Sequence, residues 1–187
     1  MVGPVAVLVP VKAFAQAKVR LAPALPPAER AALARTMAEG VLRAAHGLPT
    51  AVACDDPEVA AWAIEHGATV AWTPGLGLNG AVAAGVDQLA QLGAEHVIVA
   101  HADLPLADDL RWVADFDGVT LVPDRHGDGT NVLGVPASSG FRFAYGPGSF
   151  RRHQREAAQR DLPLRVVRVA NLAWDIDLPA DLENLKQ

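Results

Sequence analysis

The 187-residue chain has little cysteine and no long apolar run. Its one cysteine, Cys54, excludes an intrachain disulfide and any cysteine-rich metal site. No stretch approaches the roughly twenty apolar residues that a membrane-spanning helix needs. The apolar run from Val5 to Val9 stops at Pro10 and has no basic leader before it, so we expect no signal peptide. These absences predict a cytoplasmic protein that does not bind membranes.

Lysine is scarce as well, and two of the three lysines lie in one loop. The formal net charge is −5 at pH 7, and no basic stripe could bind a nucleic-acid backbone. Of only three lysines, Lys12 and Lys18 lie with Arg20 between Pro10 and Pro23, just after the first apolar run. Open α/β sheets bind ligands at such strand ends. Three cations in one loop predict a polyphosphate ligand, with a solvated surface loop as the alternative.

Strand-like and helix-like segments alternate in the first half of the chain. Short apolar strands are expected at 5–9, 50–54, 69–72 and 96–100. Helices are expected between them at 28–45, 58–66 and 80–92, the last with Asn79 as its N-cap. After residue 105 the expected elements are strands at 119–122, 131–135 and 164–169 and helices at 149–160 and from Pro179. This pattern predicts one α/β domain, residues 1–187, with a mainly parallel sheet and at least one antiparallel strand.

A single aspartate follows the fourth predicted strand. Asp103 lies just beyond the strand at 96–100 and is followed by Leu104 and Pro105. Because parallel strands share their carboxyl edge, we expect Asp103 to face the same crevice as the cationic loop. Magnesium suits such a place, since it binds through one or two carboxylates and substrate phosphates. The alternative is a loop aspartate that starts an Asx-turn.

A second acidic segment lies near the C-terminus. Asp175 and Asp177 share one face if this segment is extended, and Asp175 is the preferred second metal ligand, with Asp177 close behind. Asp181 falls in the first helical turn after Pro179, where the helix dipole favours a negative charge, so a structural role is expected for it. Two carboxylates from distant parts of the sequence could then hold a metal between the protein and the phosphates.

Two glycine-rich turns, 128–131 and 146–149, predict an anion site. Such turns expose backbone N–H groups, and a hydroxyl at a helix start adds a further donor. The candidates for binding a carboxylate or phosphate are Thr130, Gly146, Gly148 and Ser149. Ser149 is equally well explained as an ordinary helix N-cap. The run Arg151, Arg152 and His153 is more typical of a solvated helix face.

Seven segments form an ordered set over nearly the whole chain: Val9–Lys12, Ala17–Pro23, Leu78–Asn79, Ala102–Leu106, Asp128–Asn131, Gly148–Phe150 and Asp175–Leu182. Together they resemble the 2-phospho-L-lactate guanylyltransferase family. The resemblance implies a three-layer, Rossmann-like nucleotidyltransferase fold of the glycosyltransferase-A-like type, with a mixed, mainly parallel central sheet. It also implies transfer of GMP from GTP to a phosphorylated three-carbon acid in coenzyme F420 biosynthesis, with release of pyrophosphate. The implied acceptor in bacteria is phosphoenolpyruvate, although sequence alone does not separate it from 2-phospho-L-lactate.

The resemblance implies a role for each candidate residue. Lys12, Lys18 and Arg20 would hold the triphosphate and, with Asp103, carry the catalysis. Mg²⁺ would be bound by Asp103 with Asp175 or Asp177. The remaining residues would bind the guanosine and the acceptor: Leu78 and Asn79 for the former, and Thr130, Gly146, Gly148 and Ser149 for the latter. The partners are therefore small molecules, and the oligomeric state stays open, a homodimer included.

Two other functions remain as alternatives. One is a nucleotidyltransferase that acts on a sugar or cofactor phosphate. Enzymes of that kind usually have a glycine-rich loop after the first strand. This chain has no glycine between Pro10 and Pro23, which counts against this alternative. The other is a non-catalytic nucleotide-binding module, against which the paired carboxylates Asp103 and Asp175 count. No histidine or serine is assigned as a general base, because an acceptor phosphate is already anionic and needs mainly alignment and charge neutralisation.

Overall fold

The computed structural model describes residues 3–184. Its strands are β1 (Val5–Pro10), β2 (Thr50–Cys54), β3 (Thr69–Trp72), β4 (His96–Ala100), β5 (Val119–Pro123), β6 (Thr130–Pro136) and β7 (Leu164–Val166). Its α-helices are α1 (Pro27–Ala44), α2 (Pro57–Glu65), α3 (Gly77–Gln91), α4 (Ser149–Gln159), α5 (Ala170–Ala173) and α6 (Pro179–Asn184). Short 3₁₀ turns lie at Phe14–Gln16, Val19–Leu21 and Arg111–Ala114. None of the helices within these residues is long and apolar enough to cross a membrane.

All seven strands form one sheet, in the order β3-β2-β1-β4-β6-β5-β7. Strands β1 to β4 run parallel to one another, as the helical crossovers between them require. Strand β6 is antiparallel to both of its neighbours, β4 and β5, and β7 pairs with β5 in parallel. The predicted mixed, mainly parallel sheet is therefore confirmed, together with the predicted antiparallel strand in the second half.

The sheet is covered on both faces, which gives three layers. Alternate residues of β1 point to opposite sides, so Val7 and Val9 pack in the core under α1 and α2, while Ala6 and Leu8 pack in the core under α3. A third core lies between α4 and strands β5 and β6. Burial on both faces explains why the strands are continuous apolar runs in the sequence. Cys54, at the end of β2, is a free buried thiol, as expected.

The predicted helix cap at Asn79 is wrong, and so is the alternative in which Ser149 caps its helix. Helix α3 begins at Gly77, so Asn79 lies within its first turn and does not cap it. Helix α4 is preceded by Gly148, which has a φ of 74°, and Ser149 is its first residue. Both side chains instead form hydrogen bonds with residues from distant parts of the chain, Asn79 with Tyr145 and Ser149 with Thr130. The strand predicted at 164–169 ends at Val166, and the short helix α5, not predicted from the sequence, follows at Ala170.

Candidate active site

A cavity of about 660 Å³ opens beside the carboxyl ends of β1, β2 and β4. Its wall includes the loop after β1, the start of α3 and the loop after β4. Six of the residues predicted from the sequence line it: Lys12, Lys18, Arg20, Leu78, Asp103 and Asp177. The structure thus brings together cations and carboxylates that are up to 165 positions apart in the sequence, between Lys12 and Asp177. The other candidates, Asn79, Thr130, Gly146, Gly148, Ser149 and Asp175, are not in this wall.

The loop after β1 is held in place by buried apolar residues. Val11 donates its backbone N–H to the carbonyl of Ala53 at 2.9 Å and so extends the pairing beyond β1. Phe14 is buried edge-on against Trp62, with 5.2 Å between the ring centres, and Leu21 is fully buried. Between these anchors Lys18 adopts the left-handed conformation, with a φ of 53°. A non-glycine residue pays a conformational cost of about 1 kcal/mol or more there, so the tertiary contacts must impose this geometry.

Lys18 joins two of the predicted metal ligands. Its Nζ lies 2.5 Å from Asp103 Oδ2 and 3.2 Å from Asp177 Oδ1, and its side chain is only 9% exposed. Arg20 Nη1 reaches the other oxygen of Asp177 at 3.1 Å. Burial would lower the pKa of the Lys18 ammonium, but the two carboxylates hold that pKa above its usual value. Burial would raise the pKa of Asp103, but the charge of Lys18, its hydrogen bond and the neighbouring His101 together hold that pKa below its usual value.

Asp103 and Asp175 each keep one oxygen without a hydrogen bond. Among residues 3–184, neither Asp103 Oδ1 nor Asp175 Oδ1, which are both buried, has a hydrogen-bond partner. Burial raises the pKa of the Asp175 carboxyl, and the negative charge of Asp103 raises it further. Buried polar atoms without a partner are rare in proteins, and an acidic pair of this kind suits a hard cation such as magnesium. Asp177 differs, since both of its oxygens are engaged by Lys18 and Arg20.

The protein alone does not complete a metal site. Within residues 3–184, no group of three or more His, Cys, Asp or Glu side chains is arranged to hold a metal ion. The orphaned oxygens of Asp103 and Asp175 fit a cation that takes its other ligands from substrate phosphates and water, which is how magnesium is usually bound at nucleotide sites.

The four predicted acceptor residues form a cluster outside the cavity wall, in which Gly148 is partly buried and Gly146 is exposed. The hydroxyls of Thr130 and Ser149 are 3.5 Å apart, and both residues are buried. Gly146 and Gly148 have φ values of 111° and 74°, which favour glycine, and they bend the chain above these hydroxyls. Asp128 accepts the N–H of Gly148 at 2.8 Å, so the two glycine-rich turns are joined as expected. Acceptor binding by this cluster stays a prediction.

His153 is fully buried under this cluster, which corrects the expectation of a solvated helix face. Its Nε2 accepts the backbone N–H of Ala144 at 2.9 Å, so the ring proton must sit on Nδ1, which donates to Thr130 Oγ1 at 3.0 Å. Burial lowers the pKa of His153 to about 4, with Arg152 as a further cause, so the ring is neutral at pH 7. Arg152 donates to the carbonyls of Ala144 and Pro147 and thereby fixes the turn before α4.

Asn79 connects the start of α3 to the turn before α4. Its Oδ1 accepts the N–H of Tyr145 at 2.6 Å, and its Nδ2 donates to the carbonyl of the same residue at 3.5 Å. No local pattern indicates this contact, because the partners are 66 positions apart in the sequence. The role near the guanosine stays a prediction for Asn79 and for Leu78, whose side chain is partly exposed in the cavity wall.

Arg125 is a site residue that sequence reasoning missed. It lies in the turn between β5 and β6, and its Nη1 is 3.5 Å from Asp175 Oδ1. Its Nη2 is 2.5 Å from Asp181 Oδ1. Asp181 in turn accepts the N–H groups of Asp177 and Leu178, so the structural role predicted for Asp181 is confirmed. The only signal in the sequence was an arginine three positions before the glycine-rich turn at 128–131.

Comparison with known proteins shows the family to which the chain belongs. The family model described as "Guanylyl transferase CofC like" matches residues 5–186, nearly the entire chain. The chain belongs to this family. The expected resemblance to a guanylyltransferase family is thereby confirmed, and the cationic loop, Asp103 and the C-terminal acidic segment all lie within the matched residues.

The names of two relatives of this chain differ in the acceptor. A phosphoenolpyruvate guanylyltransferase of Sphaerobacter thermophilus is 41% identical over 187 residues, covering 95% of this chain and 90% of the relative. A 2-phospho-L-lactate guanylyltransferase of Methanocaldococcus fervens is 30% identical over 183 residues, covering 94% of this chain and 82% of the relative.

A solved structure agrees with the fold. A Desulfovibrio desulfuricans G20 protein, described as a nucleotide-diphospho-sugar transferase, superposes with a TM-score of 0.76 at 16% identity and covers 97% of this chain and 86% of that chain. This likeness concerns the fold alone. Together with the sheet topology, it confirms the predicted nucleotidyltransferase fold.

Proposed function

We propose that this guanylyl transferase moves GMP from GTP to the phosphate of phosphoenolpyruvate, in the cytoplasm and as a step of coenzyme F420 biosynthesis. The observation that carries the proposal is the Lys18 ammonium, 2.5 Å from Asp103 and 3.2 Å from Asp177 in the wall of a nucleotide-sized cavity. Phosphoenolpyruvate is favoured over 2-phospho-L-lactate because the relative that is 41% identical bears its name, whereas the relative named for phospholactate is 30% identical.

The reaction requires one bond to form and one to break at the α-phosphorus of GTP. A phosphate oxygen of the acid attacks this phosphorus, the bond to the oxygen bridging the α- and β-phosphorus breaks, and pyrophosphate leaves with that oxygen. Lys12, Lys18 and Arg20, all in the cavity wall, bind the triphosphate and neutralise the charge on the leaving pyrophosphate. No general base is needed, since the attacking oxygen is already anionic.

Asp103 and Asp175 are the residues that would hold Mg²⁺. When bound, Mg²⁺ would neutralise phosphate charge and help to align donor and acceptor. Their unpartnered oxygens support this assignment, and the engagement of both Asp177 oxygens by cations makes Asp177 the second choice. Thr130, Gly146, Gly148 and Ser149 would bind the acceptor acid. Arg152 supports their turn through the carbonyls of Ala144 and Pro147.

Pyrophosphate release tests the proposal. Purified protein is incubated with GTP, Mg²⁺ and either phosphoenolpyruvate or 2-phospho-L-lactate, and the product is identified by mass spectrometry. We expect release that depends on both Mg²⁺ and an acid and is faster with phosphoenolpyruvate. The two acids differ little in shape, so the preference should be about 10- to 200-fold. Faster turnover with a sugar phosphate would contradict the proposed substrate.

Substitution of Asp103 tests the site. We expect Asp103→Asn to lower kcat/KM by about 100-fold or more, because the charge that balances Lys18 and would bind the metal is lost. Asp109→Asn is the matched control, since Asp109 is a surface carboxylate that pairs with Arg111 outside the cavity wall. Wild-type activity in Asp103→Asn would refute the metal assignment.

A further inference from the structure

Arg125 contacts several residues of the C-terminal acidic segment, residues 173–181. Its Nη1 donates to the backbone carbonyl of Asp175 at 2.8 Å, and its Nη2 donates to Asp181 Oδ1 at 2.5 Å. Its guanidinium carbon lies 4.4 Å from the ring centre of Trp174, and its own N–H donates to the carbonyl of Ala173 at 2.9 Å. The turn between β5 and β6 is thus tied to residues 173–175.

Asp181, which pairs with Arg125, also binds the backbone of Asp177, the other candidate metal ligand. Its Oδ2 accepts the backbone N–H of Asp177 at 2.8 Å and that of Leu178 at 2.7 Å. Arg125 and Asp181 together therefore fix the backbone on both sides of Asp175 and Asp177. The side chain of Asp181 is only 5% exposed and that of Arg125 is 23% exposed, so solvent screens this ion pair only partly.

The charges of Asp103 and Asp175 explain why Asp175 needs a positive partner. Asp103 and Asp175 carry like charges, and these repel each other. Arg125 Nη1 stands 3.5 Å from Asp175 Oδ1, which is within ion-pair range, yet that oxygen has no hydrogen bond. The guanidinium thus offsets part of the repulsion and leaves the oxygen free for another ligand.

We propose that Arg125 is a positioning residue, which holds Asp175 opposite Asp103 so that the two carboxylates can share one divalent cation. This inference rests on the proposed function. Arginine suits the role better than lysine, because its planar fork reaches the Asp175 carbonyl and the Asp181 carboxylate at once and stacks on Trp174. A lysine ammonium has no such fork.

Metal binding by variants of the full chain tests the proposal. Mn²⁺ is titrated by electron paramagnetic resonance in the presence of GTP whose α,β-bridging oxygen is replaced by methylene, which blocks transfer. Arg125→Met keeps an apolar stem against Trp174 but loses the fork, and Arg125→Lys keeps the charge. Arg165→Met is the matched control: Arg165 also lies beside aromatic rings and donates to a carbonyl, that of Trp112, but it contacts none of the acidic segment.

We expect Arg125→Met to weaken Mn²⁺ binding by about 10-fold or more, because residues that orient metal ligands contribute about that much to metal affinity. The Mn²⁺ affinity of Arg125→Lys should lie between those of Arg125→Met and wild type. Arg165→Met should bind Mn²⁺ as wild type does. Mn²⁺ affinity in Arg125→Met within twofold of Arg165→Met would overturn the proposal. If Arg125→Met does not fold, Arg125→Lys decides it by the same comparison. Failure of the proposed function would differ, since wild type itself would then transfer no guanylyl group.

Discussion

At the scale of single residues, the site depends on how a few charges are paired. The sequence predicts Lys18 as a phosphate-binding cation, and in the structure its ammonium lies buried between Asp103 and Asp177. An ammonium has three donors on a flexible stem, so it can exchange a carboxylate for a phosphate oxygen within the same site. The same lysine can therefore stabilise the free protein and bind the triphosphate.

His153 gives a residue-scale prediction about stability and pH. Its pKa is lowered to about 4 in the folded chain, chiefly by burial, against a usual value of 6.5. The unfolded chain therefore binds a proton first as the pH falls. The stability that neutral His153 provides is complete above pH 6.5 and is lost between pH 6.5 and pH 4, to the extent of about 3 kcal/mol.

His153→Gln is the variant that isolates this effect. Glutamine can accept the N–H of Ala144 and donate to Thr130 without titrating. Urea unfolding of both proteins from pH 7 to pH 4 should show wild type losing about 3 kcal/mol more than His153→Gln. His96, whose pKa burial also lowers, contributes equally to both proteins and cancels in the difference. A difference that does not change with pH would contradict the account.

At the scale of elements, α3 lies close against the sheet, and glycine makes this approach feasible. A Cβ at Gly85 would lie 2.7 Å from both terminal carbons of Leu8, which is fully buried and has little room to move. The close contact at Gly85 therefore determines how near α3, which carries Leu78 and Asn79, lies to β1. Sequence patterns predicted a helix here but gave no reason for the glycine.

Replacement of this glycine should be costly. We expect Gly85→Ala to lower the free energy of unfolding by about 1 to 3 kcal/mol, because overpacking of the core outweighs the gain in helix propensity. Gly40→Ala in α1 is the control, since its Cβ would meet only the end of Arg43 at 3.9 Å; it should raise stability by about 1 kcal/mol. Equal stability of the two variants in urea unfolding would show that α3 can move away from the sheet.

At the scale of the whole molecule, the architecture could be predicted from the sequence, whereas the long-range side-chain contacts could not. Apolar strands and intervening helices have local signatures, so the parallel half, the antiparallel strand and the position of Asp103 at the strand edge could all be inferred. The contacts of Asn79, Arg125 and His153 could not, because each partner is brought near only by the completed fold. Local rules therefore assigned caps or solvated faces to residues that tertiary contacts use otherwise.

The fate of the GTP phosphates tests the central claim most directly. Wild-type protein is incubated with Mg²⁺, phosphoenolpyruvate and GTP labelled with ³²P at either the α- or the γ-phosphate, and the products are separated. Guanylyl transfer predicts that the α-label appears in a new product joined to the acid and that the γ-label appears in pyrophosphate. A γ-label on the acid, or no acid-dependent product from the α-labelled GTP, would contradict the account.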